Sequence, residues 1–172
     1  PAPLDSSKRT WLIASGCAGA AGAVGLATPF VSSFSPSERA KAAGAAVEVD
    51  IAALKPGEKM TVEWRGKPVW ILRRTPEMMA SLKKTDSEVA DPNSDRKAFP
   101  TPAYAKNEAR SRAEHSEGLV VVGICTHLGC SPVDKFQTGA QPSLPDNWEG
   151  GFFCPCHGST FDLAGRVFKN KP

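Results

Sequence analysis

The sequence predicts a β-rich domain of short antiparallel strands with a helix-and-loop insertion, carried behind one N-terminal membrane-spanning helix. Three observations lead there. No charged residue occurs from Thr10 to Ser37, apolar and polar residues alternate from Val47 onward, and Cys and His cluster late in the chain. At 172 residues there is room for one compact domain and an appendage, since domains commonly run to about 100–150 residues. The 21 basic residues nearly balance the 18 acidic ones, which is not the electrostatic footprint of a nucleic-acid binder.

The interior of the uncharged run, Trp11 to Val31, is almost wholly Ala, Gly, Val, Leu, Ile and Phe. A helix of about 20 such residues crosses about 30 Å of hydrocarbon. A cleaved export signal is the competing reading, but its apolar core is only about 7–15 residues, so residues 10–34 are expected to remain as an anchor. Gly16, Gly19, Gly22 and Gly25 give this helix a small-residue surface, of the kind that lets another transmembrane backbone approach closely. Within residues 1–9, the pair Lys8-Arg9 keeps the N-terminus cytoplasmic by the positive-inside rule. Ser7-Lys8-Arg9-Thr10-Trp11-Leu12-Ile13 also resembles a twin-arginine export signal with Lys for the first Arg. Both readings place the remainder of the chain outside the cytoplasm.

Residues 35–45, from Ser35-Pro36-Ser37 through Ala42-Ala43-Gly44, are small and polar, the composition of a tether that bends or unwinds. Alternation then begins. Val47, Val49 and Ile51 oppose Glu48 and Asp50; Met60, Val62 and Trp64 repeat the pattern, and Val69-Trp70-Ile71-Leu72 follows. Turns at Lys55-Pro56-Gly57 and Arg65-Gly66-Lys67-Pro68 separate these antiparallel strands, and Trp64 and Trp70 belong in the core or a half-buried sheet. Thr75 reads as an N-cap with Pro76 at the first helical position, so a short helix is expected through Met78, Met79 and Leu82. Asp86 to Pro102 is polar and proline-containing, and reads as surface loop. The apolar run Leu119 to Ile124 reads as a buried strand delivering the loop that follows. His115 lies outside both Cys clusters and reads as a solvated surface histidine.

Of 5 cysteines, Cys17 is alone in the apolar run and the rest lie between Cys125 and Cys156, interleaved with His127 and His157. Clustered Cys and His point to a metal site before a disulfide scaffold. The boxes Cys125-Thr126-His127-Leu128-Gly129-Cys130 and Cys154-Pro155-Cys156-His157-Gly158-Ser159 together offer six candidate ligands. A structural zinc module uses four and leaves two groups unexplained. The count closes if each box gives one Cys and one His to a cluster and the remaining cysteines pair with each other, which an oxidising compartment permits.

Cys-Thr-His-Leu-Gly-Cys and Cys-Pro-Cys-His-Gly-Ser resemble the two boxes of Rieske proteins. That resemblance implies a 2Fe-2S cluster with Cys125 and Cys154 on one iron, His127 and His157 on the other, a Cys130–Cys156 disulfide, and Ser159 donating to a bridging sulfide. With two thiolates in place of four, the oxidised cluster is neutral and accepts an electron readily. Rieske potentials accordingly lie at about −150 to +300 mV, against about −400 mV for plant-type ferredoxins. Each imidazole keeps one ring nitrogen for a proton. By the same likeness His157 is the quinol-facing, catalytic ligand, with His127 as the runner-up.

The likeness extends to the anchor and tether, to Thr61-Val62-Glu63-Trp64-Arg65-Gly66-Lys67-Pro68-Val69, and to Tyr104-Ala105-Lys106-Asn107-Glu108. These segments resemble the Rieske iron-sulfur subunits of bacterial cytochrome bc complexes. The implied fold is an all-β Rieske domain over residues 46–172, with three small antiparallel sheets and a helix-loop insertion, plus one transmembrane helix. The implied function is electron transfer from quinol to a c-type cytochrome within a quinol-cytochrome c oxidoreductase, with proton uptake by a His ligand. Cytochrome b, the c-type cytochrome, quinol and membrane lipid are the implied partners, in a dimeric complex of the bacterial inner membrane with the head in the periplasm. Leu128 would be an apolar tip that docks on cytochrome b.

Three departures from the family stand out. Phe161 stands where many respiratory members have a Tyr whose hydroxyl donates to a cluster thiolate. Ser131 to Phe153 is longer than in mitochondrial members and reads as a surface excursion. Lys169-Asn170-Lys171-Pro172 reaches only the start of the family's proline-rich third cluster loop, so the domain is expected to be C-terminally incomplete. The alternatives are the Rieske small subunit of another periplasmic oxidoreductase, such as arsenite oxidase, which would lack the long insertion, and the structural zinc module.

Overall fold

Asp5 opens the first element by accepting the N–H groups of Ser7 and Lys8 on its carboxylate, capping a helix, α1, that runs over Ser6–Ser32. The computed structural model describes residues 5–97 and 100–172; residues 1–4 of the N-terminal segment, and residues 98 and 99 of the expected loop Asp86 to Pro102, lie outside the described residues. The chain divides into one unit ending at Ala45 and a second beginning at Ala46. In the first unit, α1 is long and apolar enough to cross a membrane and fits a single-pass membrane protein. From Thr10 onward its hydroxyls are satisfied within the helix: Thr10 donates to the Ser6 carbonyl, Ser15 to Trp11, Thr28 to Val24 and Ser32 to Pro29. Satisfied in this way, they place no open donor in hydrocarbon. The tether is more ordered than its composition implies, because Ser37 caps a short helix, α2, over Glu38–Ala43, in which Glu38 and Lys41 pair.

In the second unit the first expected strand is absent. Residues 47–51 are irregular, with Val47 and Ile51 exposed. Alternation supplies a face, but a strand also needs backbone partners, and none runs beside this segment among the described residues. The first sheet starts later, with β1 (Lys59–Trp64), β2 (Lys67–Arg73) and β3 (Gly118–Val122) in the antiparallel order β1-β2-β3. Arg65 and Gly66 both take positive φ, 53° and 70°, which matches the twist of a two-residue hairpin. Trp70, Leu72 and Leu119 are buried on one face. On the other, Val120 and Val122 are 61% and 45% exposed, so the strand expected to be buried is an edge strand with one buried face.

Thr75 caps α3 (Pro76–Thr85) by accepting from the Met78 N–H, and Leu82 of α3 enters the core. The stretch after α3 is not wholly surface loop: Val89 is buried and bridges Phe168. The second sheet joins β4 (Val133–Lys135), β5 (Gly151–Phe153) and β6 (Thr160–Phe161) in the antiparallel order β4-β5-β6. The described residues therefore hold two small sheets where three were expected. Between the sheets, Trp70 stacks on Phe152 at 5.1 Å, and the Lys59 ammonium sits 3.9 Å above the Trp70 ring while pairing with Asp134 of β4. The surface excursion between the boxes is anchored at a buried residue. Trp148 is buried, donates Nε1–H to the Lys135 carbonyl at 2.8 Å, and accepts from the Gly139 N–H at 2.7 Å.

Candidate metal centre

The two boxes fold into loops with the same hydrogen-bond plan. In the first, between β3 and β4, the Gly129 N–H donates to the Cys125 carbonyl and the Cys125 N–H to the Cys130 carbonyl. In the second, between β5 and β6, the Gly158 N–H donates to the Cys154 carbonyl and the Cys154 N–H to the Ser159 carbonyl. Each loop closes through a glycine at positive φ, 86° at Gly129 and 81° at Gly158, where a side chain would be strained.

This shared plan sorts the six Cys and His side chains into three pairs. Cys130 and Cys156 form a disulfide between the loops. Cys125 and Cys154 remain thiols, 3% and 1% exposed, packed in the core cluster with Trp70, Phe152, Phe161 and Leu163. His127 and His157 are both exposed, with ring centres 4.8 Å apart. Ser159 is fully buried; its Oγ lies 3.7 Å from Cys125 Sγ and donates to the Pro172 carbonyl. The Cys154 sulfur also lies within 4.8 Å of both disulfide sulfurs. Leu128, 71% exposed, projects beside His127. Cys17 is a free thiol in α1, and His115 is exposed.

Three buried charges that sequence reasoning passed over tie the turn after β6 to α3 and to the segment before β3. Asp162, one residue past β6, accepts the backbone N–H groups of Ala164 and Arg166 on one oxygen and Arg166 Nε on the other. Arg166 extends the link to Asp86 and to the Leu82 carbonyl of α3. Burial lowers the pKa of its guanidinium, but the carboxylates of Asp162 and Asp86 outweigh that and leave it raised. Arg74, just past β2, is 2% exposed and donates to the carbonyls of Ala109, Leu163 and Ser116 and to Ser111 Oγ. Burial brings its pKa down to about 10, against the opposing pull of Asp162 and Glu117. The turn sequence Asp162-Leu163-Ala164-Gly165-Arg166 carried a signal for the first pair, since Asp favours such side-chain-to-backbone turns. Arg74 carried none.

A family model described as Rieske [2Fe-2S] domain matches residues 46–172. A ubiquinol-cytochrome c reductase iron-sulfur subunit from Allochromatium vinosum is 51% identical over 165 residues, covering 96% of this chain and 77% of that one. The chain belongs to the Rieske family, among the iron-sulfur subunits of ubiquinol-cytochrome c reductase. Similarly named subunits from Bradyrhizobium diazoefficiens and Rickettsia felis are 38% and 41% identical, covering 90% and 86% of this chain and 76% and 71% of their own lengths. A solved chain from a hyperthermophilic respiratory Complex III is 25% identical, with a TM-score of 0.44 over 93% of this chain and 85% of its own.

As a Rieske protein the chain binds a 2Fe-2S cluster. The donor set fits such a group: two thiols withheld from the disulfide, two exposed imidazoles on the same two loops with ring centres 4.8 Å apart, and a buried hydroxyl next to one thiol. Neither the zinc module nor the arsenite-oxidase-type subunit is favoured by these relatives.

Proposed function

We propose that Cys125, His127, Cys154 and His157 hold the 2Fe-2S cluster, the cysteines on one iron and the histidines on the other, and that the chain carries electrons from quinol to a c-type cytochrome. The supporting observation is the division of six Cys and His side chains into one disulfide, two buried thiols and two exposed imidazoles. When bound, the cluster takes up and releases one electron. Cys125 and Cys154 would hold it from within the apolar cluster, where Trp70, Phe152 and Phe161 exclude water. His127 and His157 are exposed to solvent, and once bound to iron each would keep one ring nitrogen to carry a proton. His157 is the quinol-facing ligand by family likeness. Ser159, sealed beside Cys125, supplies a hydroxyl for cluster sulfur.

The relatives' name places their own chains in ubiquinol-cytochrome c reductase. In that setting residues 10–34 anchor this chain in lipid, 35–45 act as tether, and 46–172 form the head. Cytochrome b and a c-type cytochrome are its partners in a dimeric complex of the bacterial inner membrane, with the N-terminus cytoplasmic and the head periplasmic. Leu128 is the apolar tip that meets cytochrome b. Electron paramagnetic resonance of the dithionite-reduced chain tests the ligand set, because mixed Cys and His ligation lowers the average g value below that of four thiolates. A spectrum of the four-thiolate type would overturn it.

A further inference from the structure

We propose that the oxidised chain, before it is loaded, isomerises its disulfide, with Cys154 displacing Cys156 as the partner of Cys130. The geometry is asymmetric in a way that singles out one thiol. Cys154 Sγ lies within 4.8 Å of both sulfurs of the Cys130–Cys156 bridge. Cys125, the other buried thiol, is outside that group and faces Ser159 Oγ. In the exchange the Cys154 sulfur attacks Cys130 Sγ, a Cys130–Cys154 bond forms, and the Cys130–Cys156 bond breaks. Cys156 leaves as a thiolate and takes up the proton that Cys154 gave up. One disulfide and one thiol are present before and after, so no oxidant or reductant is consumed.

The native bridge joins residues 26 apart, and the new one would end two residues earlier, so closing either loop costs nearly the same chain entropy. Attack on Cys156 instead would close a ring with Pro155 alone between its cysteines, where bridging geometry is hard to reach. Because Cys154 is almost fully buried, the sulfurs it meets are those of the bridge and not external thiols. The consequence rests on the ligand assignment proposed above. A chain bridged 130–154 lacks one ligand and accepts no cluster until the exchange reverses, whereas a loaded chain holds Cys154 on iron and keeps the native pairing. Loading is thereby a step that locks the correct disulfide.

Disulfide mapping on the full chain in detergent tests this. The cluster is removed by chelation in air, and samples are quenched in acid over time, alkylated with N-ethylmaleimide and digested without reductant for mass spectrometry. The expected result is a Cys130–Cys154 bridge with alkylated Cys156, rising to at least about one tenth of the native pairing, the share left when the isomers differ by one tenfold step. Loaded chain should give the native bridge alone. The new bridge should persist in Cys125→Ser and vanish in Cys154→Ser. Native bridge only, with Cys154 fully alkylated at every time point, would overturn the proposal. The ligand assignment is scored separately: a Cys154→Ser chain that assembles a cluster with the wild-type resonance spectrum would sink that assignment and leave the exchange standing.

Discussion

Asp162 and Arg166 are each almost sealed from solvent, and each satisfies the other while also holding backbone. Removing one partner leaves a buried charge with part of its compensation gone, which typically costs about 3–5 kcal/mol. Asp162→Ala should therefore lower the unfolding free energy by about that amount, read from urea titration of the loaded chain followed by visible circular dichroism. An effect within the range of ordinary surface substitutions would show that Asp86 alone suffices for Arg166. Phe161 raises a different question, since it sits in the core cluster with both buried thiols, at the position where the resemblance to respiratory Rieske subunits leads one to expect a Tyr. Phe161→Tyr should raise the midpoint potential, because a hydrogen bond to thiolate sulfur favours the added electron. One such bond worth about 1.5 kcal/mol more in the reduced state corresponds to about 65 mV. Protein-film voltammetry at matched cluster content measures the shift; an unchanged or lowered potential would mean the hydroxyl has turned to another acceptor.

Among the elements, β3 depends on a close approach that its sequence only hints at. A Cβ on Gly123, just beyond its end, would lie 2.2 Å from Trp70 Cε2, so the indole packs directly over this backbone. Trp70 in turn stacks on Phe152, two residues before Cys154, which ties the first sheet to the second box. Gly123→Ala should cost about 3 kcal/mol through overpacking, and Trp70→Phe in the same chain should recover part of it by making room. Thermal unfolding of the two single variants and the double variant measures that coupling; strict additivity would mean the indole moves away freely. The N-cap of α3 was legible in Thr75-Pro76 because capping is a local exchange of one hydroxyl for one backbone N–H. The one-sided burial of β3 was not legible, because a continuous apolar run has no alternation to mark which side meets the core.

For the molecule as a whole, α2 closes the first unit just before the second begins at Ala46, and motion of the head would act there. Ala42→Pro should break α2 and slow quinol oxidation in the assembled complex severalfold, while the resonance spectrum of the head stays normal. Unchanged turnover with full assembly would remove the tether from the catalytic cycle. The sequence by itself determined the apolar span, the Thr75 cap, and two boxes whose Cys, His and Gly spacings imply paired loops around a cluster, because each is a pattern within one continuous segment of chain. Only the tertiary structure decided that Arg74 reaches Leu163 and Ser116, that Arg166 joins Asp86 to the turn after β6, that Trp148 pins the inter-box segment, and that residues 47–51 form no strand. These features depend on which distant segments meet. Burial, ion pairing and strand partnership belong to neighbours in space, and a pattern along the chain specifies its own face without naming what will cover it.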